Sequence, residues 1–425
     1  MSRVIEAVVP SRLGPGYRWL LGSSWATNLG DGIAVAAGPL LVASLTGDPF
    51  LVALAALLRW TPPLVFGLYA GVLSDRLDRR RIIMVANAVR AVVLAVLVAT
   101  MVTGTVTVAV ALLALGLLAT AEVFADNTAT TLAPMLVHRE DLALANSRIQ
   151  AGAITLNQLA GPPIGAALFA AGTAWPFLAE VVLLVAGVLL VSRLVLPAHG
   201  RDPADAGRSV LRDMADGVRW TVRHPAVRTL VLTILIFNIT FGAAWSVLVL
   251  YAGERLGLGA VGFGLISTVT AVGGLLGTGL YGGITRRVSL GNIMRVGLII
   301  ETLTHLALAV TTSPWFASAI FFIFGAHAFI WGTTSITVRQ RAVPAHLQGR
   351  VSSVHTICVF GGLVVGSAVG GVLATRYGVT APFWFAFLGS AAFLVLLWRE
   401  LTHIAHADEA GSALHSGDGG RTPSP

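Results

Sequence analysis

The chain contains no lysine, a single cysteine (Cys358) and few charges: only 11% of its 425 residues are Asp, Glu, Arg or Lys. One cysteine excludes an internal disulfide, and its apolar flanks make Cys358 a packing residue. A soluble domain carries about 25% charged residues. The low share here, with 56% hydrophobic residues and a mean hydropathy of +0.82, predicts a membrane protein. There is no G-x-x-x-x-G-K-S/T loop to cradle ATP phosphates and no H-E-x-x-H pair spaced for a metal. Nothing argues for an enzyme, and no cofactor or metal is expected. The 28 basic residues are all arginine and leave a net charge of +8. In a soluble protein that excess would suggest nucleic acid. Here the arginines lie in short connections beside apolar runs, where they set orientation, so no nucleic-acid partner is expected. The first run contains Asp31 and is too long for the core of a cleavable signal.

What is present is apolar length. Runs fall at about 17–44, 50–73, 82–102, 106–130, 147–171 and 174–196, then at 228–252, 260–283, 291–311, 314–337, 351–374 and 379–399. Each is near the ~20 residues a helix needs to cross a bilayer core, which predicts an all-α membrane protein of twelve transmembrane helices in two sets of six. Odd-numbered connections are short and nearly free of arginine, broken only by Arg255 and Arg376, whereas even-numbered ones are arginine-rich. Positive-inside logic places both termini in the cytoplasm. The domain plan is then a tail (1–16), six spans (17–196), a linker (197–227), six more spans (228–402) and a disordered tail (403–425) rich in Gly, Ser, Asp and Pro. Within the linker, Leu211, Met214, Ala215, Val218, Trp220 and Val222 alternate with Arg212, Asp213, Asp216, Arg219 and Arg223 at helical spacing. That spacing predicts an amphipathic helix on the cytoplasmic membrane surface.

The densest charge of the first half is Gly71–Arg81, reading G-V-L-S-D-R-L-D-R-R-R between the second and third runs. One charge at mid-membrane costs ~2.5–3.5 kcal/mol on insertion scales, so this knot must be a short loop. Its Gly71, Asp75, Arg76, Arg79 and Arg80 resemble the signature loop of the major facilitator superfamily, with Asp78 standing where that family usually has glycine. The second half holds a stripped copy, Gly282-Gly283-Ile284-Thr285-Arg286-Arg287, and the loops at 134–147 and 341–351 correspond in the same way. Those two loops, with Asn28-Leu-Gly-Asp31-Gly early in the first span, look most like the branch containing the enterobactin exporter and macrolide or multidrug efflux proteins. The resemblance implies two six-helix bundles around a central site, opened alternately to each side.

It also implies roles. In the family the loop aspartate acts as a latch, which here would set Asp75 against the helix start near Arg350 and Val351, where free N–H groups and the helix dipole favour an anion by ~0.3–1 kcal/mol. The arginines of that loop would anchor the same latch, or only topology. Gly161, Pro162 and Gly165 in the fifth span resemble the helix-bend motif of drug–proton antiporters, although Ala166 replaces the second glycine of the usual pair. Spans 1, 4, 7 and 10 line the cavity in this superfamily.

Ionisable residues inside spans are the sharpest candidates, because burying a charge is costly. Asp31 lies mid-span, with Asn28 one turn earlier, and Glu122 and Asp126 share one face of span 4. A carboxylate in an apolar cavity can exchange a proton, so these three are the candidates for proton or cation coupling. Arg59 and Arg90 are intramembrane cations that could serve as their counter-ions, and a fixed ion pair is the competing reading. Asn238, Trp245, His327 and Trp331 are candidate cavity residues, against ordinary packing. Glu301 and His305, four apart in span 9, could relay protons or satisfy each other.

The expected function is secondary active export of a hydrophobic or amphipathic small molecule, a drug or secondary metabolite, by proton antiport. Its partners would be that substrate, protons and the bilayer of the plasma membrane, with the protein acting as a monomer. A siderophore exporter and a nutrient importer of the same fold are the alternatives.

Overall fold

The structure, a computed structural model, describes residues 10–196, 210–344, 347–398 and 400. Every regular element among them is helical, as it must be where the backbone has only itself to satisfy its polar groups. The first six long helices are α1 (Gly14–Leu45), α2 (Pro49–Arg76), α3 (Arg79–Val102), α4 (Val108–Ala129), α5 (Leu142–Gly152, continued through Ala153–Ala160 and Gly161–Ala171) and α6 (Trp175–Val191). A short α7 (Val210–Arg223) precedes α8 (Pro225–Trp245), α9 (Ala260–Thr285), α10 (Leu290–Val310), α11 (Pro314–Ala342), α12 (Gln348–Tyr377) and α13 (Ala381–Leu397).

Twelve helical rods thus occupy the positions of the twelve expected spans. Nine helices among the described residues are long and apolar enough to cross a membrane. The other three rods are α6 and α13, apolar but only 17 residues each, and α5, whose middle turns widen into a π segment. The tail at 403–425 and the linker at 197–209 lie outside the described residues.

Local chemistry fixes the helix starts. Asp48 accepts a hydrogen bond from the Phe50 amide at 2.9 Å, ahead of a proline at the first position of α2. Asp78 accepts from the Arg81 amide at 3.2 Å and so caps α3. That gives a physical reason for an aspartate where the superfamily usually has glycine: a carboxylate satisfies an otherwise unpaired N–H and opposes the positive end of the helix.

Each half has its own apolar core. Leu41, Leu94, Leu97, Phe177 and Leu184 pack together in the first half, and Leu248, Tyr251, Leu308, Phe321 and Phe383 in the second. Val92, Val96, Leu388 and Val395 point outward and are well exposed, as suits a surface that meets lipid rather than water.

The halves meet along α2 with α12 and α5 with α9, and these contacts gather at the end remote from the arginine-rich loops. There a Cβ on Gly371 would lie 2.9 Å from Ala53 Cβ, and one on Gly264 would lie 2.5 Å from Ala166 Cβ. Thr375 Oγ1 donates to Asp48 Oδ1 at 3.4 Å, and Thr268 Oγ1 donates to the Leu159 carbonyl at 2.9 Å. At the arginine-rich end, Gly67, Gly71 and Gly349 have open space where a Cβ would go. Among the described residues, close contacts between the halves therefore lie toward the end remote from the arginine-rich loops. At the arginine-rich end α7 packs on the start of α12, bringing Gly217 against the Arg350 carbonyl and Asp216 Oδ2 to 3.9 Å from Arg350 Nη1.

Candidate functional site

The centre of the first half is a buried charge cluster. Arg90, on α3, ion-pairs with Asp31 on α1 and lies 3.3 Å from Glu180 Oε1 on α6. All three are nearly inaccessible, at 2%, 6% and 1% exposure for Arg90, Asp31 and Glu180, so solvent does little to screen them. Asn87, one turn before Arg90, accepts from its Nη1 at 3.4 Å. Glu180 Oε2 is buried without a hydrogen-bond partner among the described residues.

The stoichiometry matters more than the pairing. Two carboxylates share one guanidinium, so with both ionised the triad carries a net negative charge in a low-dielectric interior, and one bound proton makes it neutral. A simple Asp–Arg pair would have no such spare site. The competing expectation of a fixed ion pair therefore describes Asp31 with Arg90 but not the cluster, because Glu180 adds the second acid.

Small residues bring these helices together. A Cβ on Gly165 would lie 2.3 Å from the Ile33 carbonyl, and one on Gly161 would lie 2.5 Å from Gly32 Cα. Gly161 and Gly165 thus seat α5 directly on the segment of α1 that carries Asp31, with Pro162 at the junction of the π segment and the helix that follows. Such π segments are frequent at functional sites.

The triad opens onto a cavity of about 410 Å³ between the halves. Asp31, Arg90, Glu180 and Glu122 line its polar side, and Asn157, Gln158 and Pro162 of α5 contribute to the same wall. The second half supplies aromatic surface: Phe241, Trp245, Phe263 and Phe329. Trp245 and Phe241 stack with centroids 4.3 Å apart. A second cavity of about 610 Å³ leads toward the arginine-rich end, lined by Asp126, Asn127, Gly349 and Ser352 among others. Arg59, Trp60, Ala119 and Glu122 line both cavities. The Arg59 guanidinium lies 5.4 Å from the centre of the Trp60 ring.

The remaining candidates fall elsewhere. Asn28 and Asn238 donate to the carbonyls of Ser24 and Ile234, at 2.8 and 2.7 Å, each one turn back on its own helix. His327 is buried beside Glu301, its Nε2 3.1 Å from Glu301 Oε2, and Trp331 stacks on Phe237 at 5.8 Å. Arg79 and Arg80 engage their own half: Arg79 Nε donates to the Ser74 carbonyl at 3.2 Å, and Arg80 donates to the Ser192 carbonyl. Arg76 is exposed at the end of α2. The Asp75 side chain lies outside the described residues.

Sequence reasoning missed Glu180. Its signal was available: a lone acid in the otherwise uncharged α6, W-P-F-L-A-E-V-V-L-L-V-A-G-V-L-L-V. The Phe241, Phe263 and Phe329 surface was also missed, since an apolar ring in a membrane helix carries no sign of which way it faces.

A family model described as transmembrane secretion effector matches residues 10–416. The multidrug efflux pump Tap of Mycolicibacterium fortuitum is 28% identical over 384 residues, which span 86% of this chain and 90% of that protein. Among solved structures, the nucleoside transporter NupG aligns with a TM-score of 0.69 at 12% identity, covering 92% of this chain and 99% of that one. A bacterial homologue of the iron transporter ferroportin in an inward-facing state aligns at 0.68 and 16% identity, over 89% and 98%. At these identities the structural matches speak to fold alone.

Proposed function

We infer function from membership: the chain belongs to the transmembrane secretion effector family, within the major facilitator superfamily of transporters. It is a multi-pass membrane transporter. We propose that it exports a hydrophobic or amphipathic small molecule, drug or secondary metabolite, across the plasma membrane in exchange for protons.

The observation that carries this reading is the cavity between the halves, with an aromatic wall on one side and the Asp31–Arg90–Glu180 triad on the other. Aromatic surface with few polar groups suits an apolar or amphipathic ligand. The triad gives that ligand something to compete with: a proton bound there removes a buried charge, and releasing it restores one. The likeness to Tap favours export over uptake.

In this reading the arginine-rich end faces the cytoplasm, and the open passage beside Asp126 and Glu122 is the inward-facing entrance. Substrate and proton would then occupy the cavity alternately while the α2–α12 and α5–α9 contacts close and part. Asp75 serves as the latch at the cytoplasmic end, and one chain is the working unit.

The test is uphill accumulation of ethidium inside inverted vesicles, whose lumen corresponds to the outside of the cell, under a proton gradient that is acid inside. Asp31→Asn should abolish accumulation against the gradient while insertion and yield stay normal; unchanged accumulation removes Asp31 from the mechanism. Ethidium movement only out of the lumen would favour an importer.

A further inference from the structure

The second half holds a buried ionisable cluster that the proton-exchange scheme above does not use. Glu301 and His305 lie one turn apart on α10, and His327 reaches them from α11. His327 Nε2 is 3.1 Å from Glu301 Oε2. His305 Nε2 is 3.2 Å from Oε1, at ion-pair distance but off the line of a hydrogen bond. Their exposures are 2%, 0% and 6% for Glu301, His305 and His327.

Two histidines therefore face one carboxylate away from water. With Glu301 ionised and both rings neutral, the cluster carries one uncompensated negative charge. One proton, shared among the two rings and the carboxylate, makes it neutral. Burial of an unpaired charge is costly, and imidazole is the side chain that changes charge in the physiological range.

Other charged groups stand away from it. Among the described residues, α13 contributes no titratable side chain along its length, α9 only Tyr281, whose hydroxyl lies 3.5 Å from Thr334 Oγ1, and α8 only Arg228 in its first turn. Arg295, near the start of α10, lies 5.2 Å from the Trp398 ring. Tyr251 donates to the Leu308 carbonyl at 2.6 Å, one turn beyond His305. Across the cavity are Asp31, Arg90, Glu180, Glu122 and Arg59.

The route from the cluster to the cavity is aromatic. His305 meets Trp245 edge to face, with centroids 6.0 Å apart and planes at 86°, and Trp245 lines the cavity. Phe324 contacts both His327, at 6.2 Å, and Trp245, at 4.8 Å. A ring that gains a positive charge interacts differently with neighbouring π faces, so a proton on this cluster alters the wall that a ligand would touch.

We propose that Glu301, His305 and His327 form a second proton-binding site, in the C-terminal half, whose occupancy is felt in the cavity through Trp245. The two halves would then each hold a buried cluster that one proton renders neutral. The proposal deepens the export reading and rests on it for what the proton accomplishes, but not for the binding itself.

Binding is tested without any substrate. The full-length protein in lipid nanodiscs is titrated from about pH 8 to pH 5, the range in which histidine changes charge, while tryptophan emission is followed. A histidinium in contact with an indole quenches it, so emission should fall on acidification, and the component lost in Trp245→Phe isolates the ring of interest. The Trp220–His224 stack, with centroids 4.8 Å apart, supplies a separate pH-dependent signal that Trp245→Phe leaves in place. His305→Asn should abolish the Trp245 component, and Glu301→Gln should shift its midpoint by about one pH unit or more. Asp31→Asn should leave it unchanged.

A flat difference between wild type and Trp245→Phe would overturn the proposal, and so would a component that survives His305→Asn or vanishes in Asp31→Asn. Where His305→Asn does not fold, the wild-type and Trp245→Phe pair decides alone. Failure here leaves export and the Asp31 test untouched, and failure of export leaves this titration to stand or fall by itself.

Discussion

Glu180 Oε1 on α6 lies 3.3 Å from the Arg90 guanidinium, which already pairs with Asp31 on α1. The relationship changes what Asp31 can be. Alone with Arg90 it would be a neutral structural pair; with Glu180 present, the site has one acid more than it has cations. It holds three helices of the first half at one point, and a single proton would bring it to neutrality.

Arg90→Met therefore leaves two buried acids with no cation. Removing one partner of a buried ion pair costs about 3–5 kcal/mol, so this variant should give low yield and a clearly lowered thermal midpoint in detergent. Adding Asp31→Asn and Glu180→Gln to it should restore most of that loss, because no uncompensated charge remains. If the triple variant is as unstable as the single one, the cost lies in lost packing rather than in charge.

The seal between α2 and α12 gives a test of alternating access. A Cβ on Gly371 falls 2.9 Å from that of Ala53, so a small relaxation brings cysteines at the two positions to disulfide geometry, with Cβ atoms about 3.5–4.5 Å apart. With Cys358→Ser as background, oxidising the Ala53→Cys, Gly371→Cys variant should stop ethidium transport, and reductant should restore it. Transport that continues with the cross-link formed, verified by mass spectrometry, would mean that this contact need not part.

The two aspartates of the arginine-rich loop should separate by mutation. Asp78 caps α3, so Asp78→Gly should lower stability by a few tenths of a kcal/mol to about 1 kcal/mol and leave turnover near normal. Asp75→Ala should instead slow turnover more than it weakens ethidium binding. A pure loss of affinity in the latter would contradict a latch.

Much of this architecture was legible before any coordinates, and the reason is physical. Hydrocarbon forces the backbone into helices, and the arginines mark every second connection, so positions along the chain follow from length and charge. Asp31, Arg59, Arg90 and Glu122 stood out because a charge in an apolar run is rare. Which charges meet was not legible. Whether Arg90 takes Asp31, Glu122 or Glu180 depends on how α1, α3 and α6 rotate about their axes, and that is set by contacts such as Gly165 on Ile33, which lie far apart in sequence. The same holds for His327, whose spacing gave no hint that Glu301 on the neighbouring helix would reach it. The π segment at Ala153–Ala160 was invisible as well.

The most direct test of the central claim is to count protons in proteoliposomes that report internal pH and ethidium together, comparing wild type with Glu180→Gln. Glutamine keeps the size of the side chain but leaves the triad neutral without a proton. The account predicts that ethidium entering the cavity drives proton movement in the opposite direction in wild type. In Glu180→Gln it predicts none, while the dye still equilibrates down its own gradient. Wild-type proton movement per dye molecule in Glu180→Gln would contradict it.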